Sequence, residues 1–424
     1  MANAAGIEDL RSRTDHPQRW SFALLLALLA LALGVSGLPS PLYPIYQQEW
    51  HLSPLSITVV FAVYAIGALC SALTVGPISD AVGRKPVLLC SLVAILGGLG
   101  LFLIATSEWE LILARLLHGT AIGAITVVAG AALLDVRPHG GARNGMFSGI
   151  ALNVGIAITV FGAAAAAQWA ANPLRIPYAI VAAVVVVMLA GVIVLIEPHN
   201  EKTGSRVRIQ RPRVPTAISS DFWFSGIGIM SAWSVLGVFL SLYPALTQHS
   251  TGHESIIFVG VVVAVMAAAS AAFQWVGGRF DPRSSAIVGH LGLIASLGCA
   301  VWALNTGSTV FVIADSAVLG ATFGLAFGGS LRHLNNVTPA DSRGAVMSAY
   351  YLLGYLAMGI PTVIAGALSS TYGASTTFPW FAGVVSTACL GAAVLGVVGA
   401  RRHPAALAED PVAIDSAPVE LEVH

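Results

Sequence analysis

Charge is what this sequence has least of. Of 424 residues, only 20 are Lys or Arg and 20 are Asp or Glu, 9% charged against 56% hydrophobic. A soluble domain usually carries about 25% charged residues, so a water-solvated globular fold is excluded. The formal net charge is zero, which by itself decides nothing about nucleic acid. What matters is where the few charges sit. Cysteine is just as sparse. Cys70, Cys90, Cys299 and Cys389 each fall inside an apolar run, without metal-ligand spacing, and read as small packing residues. No nucleophile–base set, metal-ligand cluster or phosphate-binding loop appears, and the stretch from Gly76-Pro77 to Lys85 is not a Walker loop. Neither an enzyme nor a cofactor is therefore indicated. The first apolar run is too long for a signal-peptide core and lacks a clear cleavage site, so it is expected to stay as a spanning helix.

What the chain has in quantity is long apolar runs, with 44 glycines distributed through them. In lipid every backbone polar group needs an internal partner, so such runs become helices. About 20 apolar residues suffice to cross a bilayer. The expected spans are 20–38, 54–76, 86–106, 109–134, 145–170 and 176–196, then 222–248, 254–277, 284–305, 309–333, 345–370 and 376–400. The first ends in Pro39, Pro41 and Pro44, which break or kink a helix. Tyr43 lies among those prolines and Tyr46 just after them, and tyrosine favours the membrane interface. The fold class is thus an all-α membrane protein of twelve helices. Residues 1–18 and 401–424 read as polar tails, 19–196 and 221–400 as two six-helix bundles, and 197–220 as a surface linker with five basic residues.

Basic residues fix the orientation. One side collects Arg84, Lys85, Arg137, Arg143, the linker cluster, Arg279, Arg283, Arg332, Arg343 and the basic residues of both tails; the other holds only Arg175. Both termini are therefore expected in the cytoplasm, in a multi-pass plasma-membrane protein. The halves also repeat at an offset of about 200 residues. Gly76-x-x-x-Asp80 recurs as Gly277-x-x-x-Asp281, and Gly119 and Gly123 recur as Gly320 and Gly324. Such a duplication encloses a binding site near the bilayer midplane.

The stretch Gly76-Pro77-Ile78-Ser79-Asp80-Ala81-Val82-Gly83-Arg84-Lys85-Pro86 lies between the second and third runs. It is expected to be a tight reversal, with Gly76 and Gly83 free to adopt positive φ. Its pattern, Gly-x-x-x-Asp-x-x-Gly-Arg-Lys, resembles the signature loop of the major facilitator superfamily of secondary transporters, and the resemblance extends over nearly the whole chain. It implies the superfamily fold of two pseudo-symmetric halves and a monomer that moves a small-molecule substrate through the bilayer, with no nucleic-acid partner. It further implies a latch: Asp80 faces the start of helix 11, Arg84 pairs with an acid at the end of helix 4, here Asp135, and Gly76, Gly83 and Lys85 complete the loop. The second copy is degraded, with Pro282-Arg283-Ser284-Ser285 after Asp281.

Ionisable residues inside spans are costly and functional by default. Arg115 in helix 4 and Asp315 in helix 10 each lie about 9 Å inside the outer end of their helix, at 1.5 Å per residue. They are read either as a proton-coupling pair, in which Arg115 keeps Asp315 ionised while the two are close, or as an ion pair that only ties the halves together. Arg115-x-x-x-Gly119 resembles a second motif, that of bacterial 12-helix drug:proton antiporters, where it is associated with proton transfer. His118, three residues on, shares the face of Arg115 at helical spacing, and reads equally as a coupling group or as packing. Helix 5 has Gly145, Gly149, Gly155 and Gly162 but no Gly-Pro pair, a departure that leaves the direction of transport open. Tyr64, Asn153, Trp233, Tyr243, Tyr350, Tyr351 and Tyr355 are the candidate cavity residues, suited to a neutral or cationic amphipathic solute or else simply packed. The reading is a proton-coupled efflux antiporter of small organic molecules. Its alternatives are an importer or facilitator of a sugar or organic acid, and a non-transporting sensor on the same fold.

Overall fold

The computed structural model describes residues 20–137, 141–198, 213–339 and 342–402, with side chains omitted for 141–143 and 402. The tails 1–18 and 403–424, most of the expected linker (199–212), and the side chain of Arg143 lie outside the described residues. Twelve helices are long and apolar enough to span a membrane, and among the described residues there is no strand. They are α1 Ser21–Gly37, α2 Pro54–Val82, α3 Arg84–Ile104, α4 Glu108–Val136, α5 Gly141–Trp169 and α6 Ile176–Val194 in the first half. The second half comprises α7 Ser219–Ser241, α8 Ile256–Gly277, α9 Pro282–Thr306, α10 Thr309–Val337, α11 Arg343–Tyr372 and α12 Ala374–Arg402. All twelve expected spans are present.

Local chemistry sets the helix ends. Ser53 caps α2 by accepting from the Ser56 N–H at 3.0 Å. Ser107 and Glu110 form a reciprocal capping box on α4. After Gly37 the prolines break α1 into a 3-10 turn, Ser40–Leu42, and a short helix, Tyr43–Trp50. The matching position of α7 breaks at Leu242 and continues as Tyr243–Thr251, with Pro244 in its first turn. Tyr43 and Tyr46 are both buried in the first half, where the Tyr46 and Tyr178 hydroxyls meet at 3.4 Å.

The two halves pack by the same device. Gly119 and Gly123 of α4 lie against the backbone of α2 at Tyr64 and Ala68, and Gly320 and Gly324 of α10 lie against that of α8 at Met266 and Ser270. A Cβ at any of the four would clash with main-chain atoms, so these glycines serve close helix approach. The internal repeat in the sequence is thus a repeat of helix contacts.

Between the halves, one face is closed and the other open. On the face carrying the α1–α2 turn, the Leu55 N–H of α2 donates to Ser370 Oγ of α11 at 3.1 Å. There too the Gln168 side chain of α5 accepts from the Ile256 N–H at the start of α8, at 2.9 Å. On the face carrying the α2–α3 turn, α2 and α11 are apart, whereas α5 and α8 stay close, with Gly149 beside Gln274 and Met146 beside Gly278. A hollow of about 320 Å³ separates Gly76, Pro77 and Asp80 of α2 from Gly344, Met347 and Ser348 of α11.

The signature stretch itself differs from expectation. Gly76 to Val82 continue α2 as helix, with Pro77 inside it, and Gly83 alone makes the reversal at φ +102°. One left-handed residue is enough because α3 begins immediately at Arg84.

Candidate functional site

A cavity of about 490 Å³ lies between the halves and runs to the α2–α3 face. Its first-half wall includes Ser36, Tyr64, Asn144 and Asn153; its second-half wall includes Trp233, Phe327, Asn335, Tyr351 and Tyr355. Trp233 is the centre of an aromatic group. Its ring lies edge-on to Tyr355 at 4.9 Å between centroids and at 6.2 Å from Tyr351. Of the expected cavity residues, Tyr64, Asn153, Trp233, Tyr351 and Tyr355 line it. Tyr243 and Tyr350 do not. Tyr243 is fully buried between Phe239 and Phe378, and Tyr350 is buried in a separate cluster with Phe222, Ile229 and Val346. A step of about 100° per helical residue explains why Tyr351 faces the cavity and its neighbour Tyr350 does not.

Of the ionisable residues singled out within the spans, Arg115 and His118 lie in the first half and Asp315 in the second, and none of them lines this cavity. Arg115 is completely buried; its guanidinium donates to the Ser36 carbonyl at 2.9 Å and covers the Tyr64 ring at 4.7 Å. Asp315 is buried in the second half, and neither carboxylate oxygen has a hydrogen-bond partner among the described residues. No ion pair joins Arg115 to Asp315, although the outer seam where they were expected to meet is closed. The reason is aim: Arg115 points into the α1–α2 groove. His118 does not share that groove. It packs into α3, against Gly98 and beside Phe102 at 5.5 Å. Three residues along a helix is a turn of about 60°, enough to move from one interhelical groove to the next.

The latch residues do assemble. Arg84 is 6% exposed. Its Nη1 donates to Asp80 Oδ1 at 2.5 Å and Ser79 Oγ at 2.6 Å, and its Nε to Asp135 Oδ2 at 3.0 Å. Lys85 Nζ donates to the Ile193 carbonyl of α6 at 2.7 Å. Asp80 makes no hydrogen bond to α11 among the described residues, because the open hollow lies between them.

Residues 24–362 match the profile of the Major Facilitator Superfamily. The chain belongs to this superfamily. It is 23% identical over 355 residues to the uncharacterized MFS-type transporter YceJ of Bacillus subtilis (strain 168), covering 80% of this chain and 87% of that protein. A shorter stretch of 111 residues is 32% identical to the gallate transporter of Pseudomonas putida, covering 25% of this chain and 24% of that protein. Among solved structures, a bacterial homolog of the human lysosomal transporter Spinster superposes with a TM-score of 0.71 at 15% identity, covering 90% of this chain and 96% of that one. The nucleoside transporter NupG superposes at 0.69 with 14% identity, covering 88% and 99%. Superfamily members are transporters, so the chain is a membrane transporter and not an enzyme.

Two features of this superfamily member escaped the sequence reading. Glu197, assigned to the linker, packs against the signature stretch instead. Its carboxylate accepts from the Arg84 and Lys85 backbone N–H groups at 2.8 and 3.1 Å, capping α3. A side chain at Gly83 would press against that carboxylate, so the motif glycine and Glu197 form one device. Glu197→Ala strands two helix N-terminal donors and is expected to cost about 1–2 kcal/mol. The unfolding midpoint of the purified protein should fall by several degrees with transport retained; an unchanged midpoint would show that the cap is idle.

The second feature is in the other half. Arg283, the counterpart of Arg84, reaches Asp221 of α7, and His333 Nε2 of α10 lies 2.9 Å from the same Asp221 oxygen. The second copy of the motif keeps its arginine but takes its acid from another helix. Asp281 has become the cap of α9, accepting from the Ser284 N–H at 2.8 Å.

Proposed function

We propose that this protein is a proton-coupled exporter of small organic molecules, working by alternating access as a monomer in the plasma membrane with both termini in the cytoplasm. The observation that carries the reading is the cavity between the halves, closed at the α1–α2 face and open at the α2–α3 face. The count of basic residues assigns the open face to the cytoplasm, the side from which an exporter loads. The gallate and nucleoside transporters among its relatives carry organic solutes, which supports an organic substrate. Asp315 supplies the coupling carboxylate: an ionised acid without partners inside a membrane is costly, and a bound proton removes the charge. Arg115 acts from behind the cavity wall rather than as the partner of Asp315, and His118 packs against α3 as the reserve candidate.

Growth of cells carrying or lacking the gene on a panel of toxic organic compounds identifies a substrate. The purified protein is then placed in liposomes loaded with the pH dye pyranine. Movement of that substrate in one direction is expected to drive protons in the other. Protons moving in the same direction would make the protein a symporting importer, and no proton movement would make it a facilitator.

A further inference from the structure

The cavity is unusual in what it lacks. None of the described residues lining it carries a charge at neutral pH. Behind the first-half wall lies the charge of Arg115, sealed by Tyr64 and Ser36, both of which line the cavity. No acid among the described residues pairs with that guanidinium, and its Nε and Nη2 have no hydrogen-bond partner. The first-half wall is therefore positive from behind and neutral at its surface. A charged solute entering this space leaves water without meeting a counter-ion. A cation is opposed a second time, by the field of Arg115 at low dielectric. An anion gains from that field but cannot reach the guanidinium through the Tyr64 ring.

The polar lining groups have a direction as well. Asn144 spends its amide N–H2 on the Leu133 and Arg137 carbonyls, each at 3.1 Å. Asn153 gives its N–H2 to the Gly149 carbonyl at 3.0 Å, and Asn335 to the Leu331 carbonyl at 3.0 Å. Asn144 thus uses both of its donors on backbone and Asn153 and Asn335 one each, and all three keep their carbonyl oxygens for a solute. Across the cavity from Asn144 and Asn153 stands the aromatic group of Trp233, Tyr351 and Tyr355. Flat π-faces suit a flat aromatic solute.

We infer that the substrate class is uncharged aromatic molecules that carry hydrogen-bond donors, such as phenols and indoles, with affinity ordered neutral, then anion, then cation. This rests on the cavity being the transport site, but not on proton coupling, because it concerns binding alone. The test uses four probes on one ring system with the purified protein in lipid nanodiscs: 2-naphthol, 2-methoxynaphthalene, 2-naphthoate and 2-naphthylmethylammonium. Equilibrium dialysis at pH 7 should show 2-naphthol binding most tightly. The methoxy compound, which has no donor, is expected to bind about tenfold more weakly, the value of one hydrogen bond. Naphthoate should be weaker again and the ammonium weakest. Trp233→Ala should lower naphthol binding at least about tenfold. Asn153→Asp supplies the missing counter-charge, and is expected to raise ammonium affinity about tenfold while lowering that of naphthol. Ammonium binding to the unmutated protein as tight as naphthol would overturn the inference, and so would tightest binding of naphthoate. Equal binding of naphthol and its methyl ether would overturn the donor requirement. No binding by any of the four would show that the cavity is not an aromatic site. Since no proton gradient enters this experiment, its failure is separate from a failure of proton coupling in the liposome assay.

Discussion

Asp315→Asn is expected to abolish accumulation driven by a pH gradient while leaving substrate exchange in place. Asp315 is 6% exposed, and both its oxygens lack hydrogen-bond partners among the described residues. Its helix starts at Thr309 on the closed face, so the carboxylate lies about 9 Å below that face. The neighbouring Tyr243 hydroxyl also lacks a partner, and Tyr243 opens the short helix after the α7 break. Parting of the halves at this face would uncover the carboxylate and admit water, and closing would seal it again. Coupling then requires that a proton taken up in that phase leave towards the opposite side in the other phase, so that each cycle carries it across the membrane. Asparagine keeps the shape of the protonated acid and can never release the proton. A gradient of one pH unit is worth about 1.4 kcal/mol, or about tenfold accumulation at one proton per substrate. In liposomes the unmutated protein should approach that ratio. The variant should equilibrate substrate without concentrating it, at an exchange rate within about threefold of the unmutated protein. Accumulation at the unmutated rate would place coupling elsewhere, and His118 would be the next residue to replace.

How much of this was legible in the sequence depended on the scale of the feature. The spans and the two halves were legible because lipid demands long apolar runs, and because charges so sparse leave each basic residue informative about topology. Helix faces were not. In these spans both lipid-facing and protein-facing sides are apolar, so periodicity does not separate Tyr350 from Tyr351, or the groove of Arg115 from that of His118. Glu197 was hidden for another reason. It meets Gly83 and Arg84 across more than 100 residues of chain, and no local spacing announces such a contact. Asp221 was missed because the second copy was compared at matching positions, whereas the acid had moved to α7. The arginine at 283 was visible throughout; only packing shows what it holds.

Arg84→Ala is expected to reduce transport at least about tenfold while the protein still inserts and purifies as a single species. Arg84 ties together three partners: Ser79 and Asp80 at the end of α2, and Asp135 at the end of α4. Removing it takes the Arg84 cation away from both carboxylates. A fully buried pair broken in this way costs about 3–5 kcal/mol, but the Asp80 and Asp135 side chains are 51% and 25% exposed. Water screens them, so a loss of about 1–2 kcal/mol is expected, small beside the packing of twelve helices. The larger effect should fall on the cycle. In this structure the hollow between α2 and α11 keeps Asp80 away from Gly344. Closing it would bring Asp80 to the N-terminus of α11, where free backbone N–H groups and the helix dipole favour a carboxylate. Arg84 holds Asp80 in place for that contact. Without it the state closed on the cytoplasmic side loses its latch, and the population shifts towards the open form seen here. Asp80→Asn, which removes the charge that the dipole attracts, should shift it the same way. A single cysteine at Ser370, in the closed outer seam, reports the shift in a background lacking the four native cysteines. It should label more slowly from outside in both variants than in the parent. Normal transport and unchanged labelling in well-inserted protein of both kinds would remove the latch, leaving the Arg84 cluster as a purely structural tie between α2, α3 and α4.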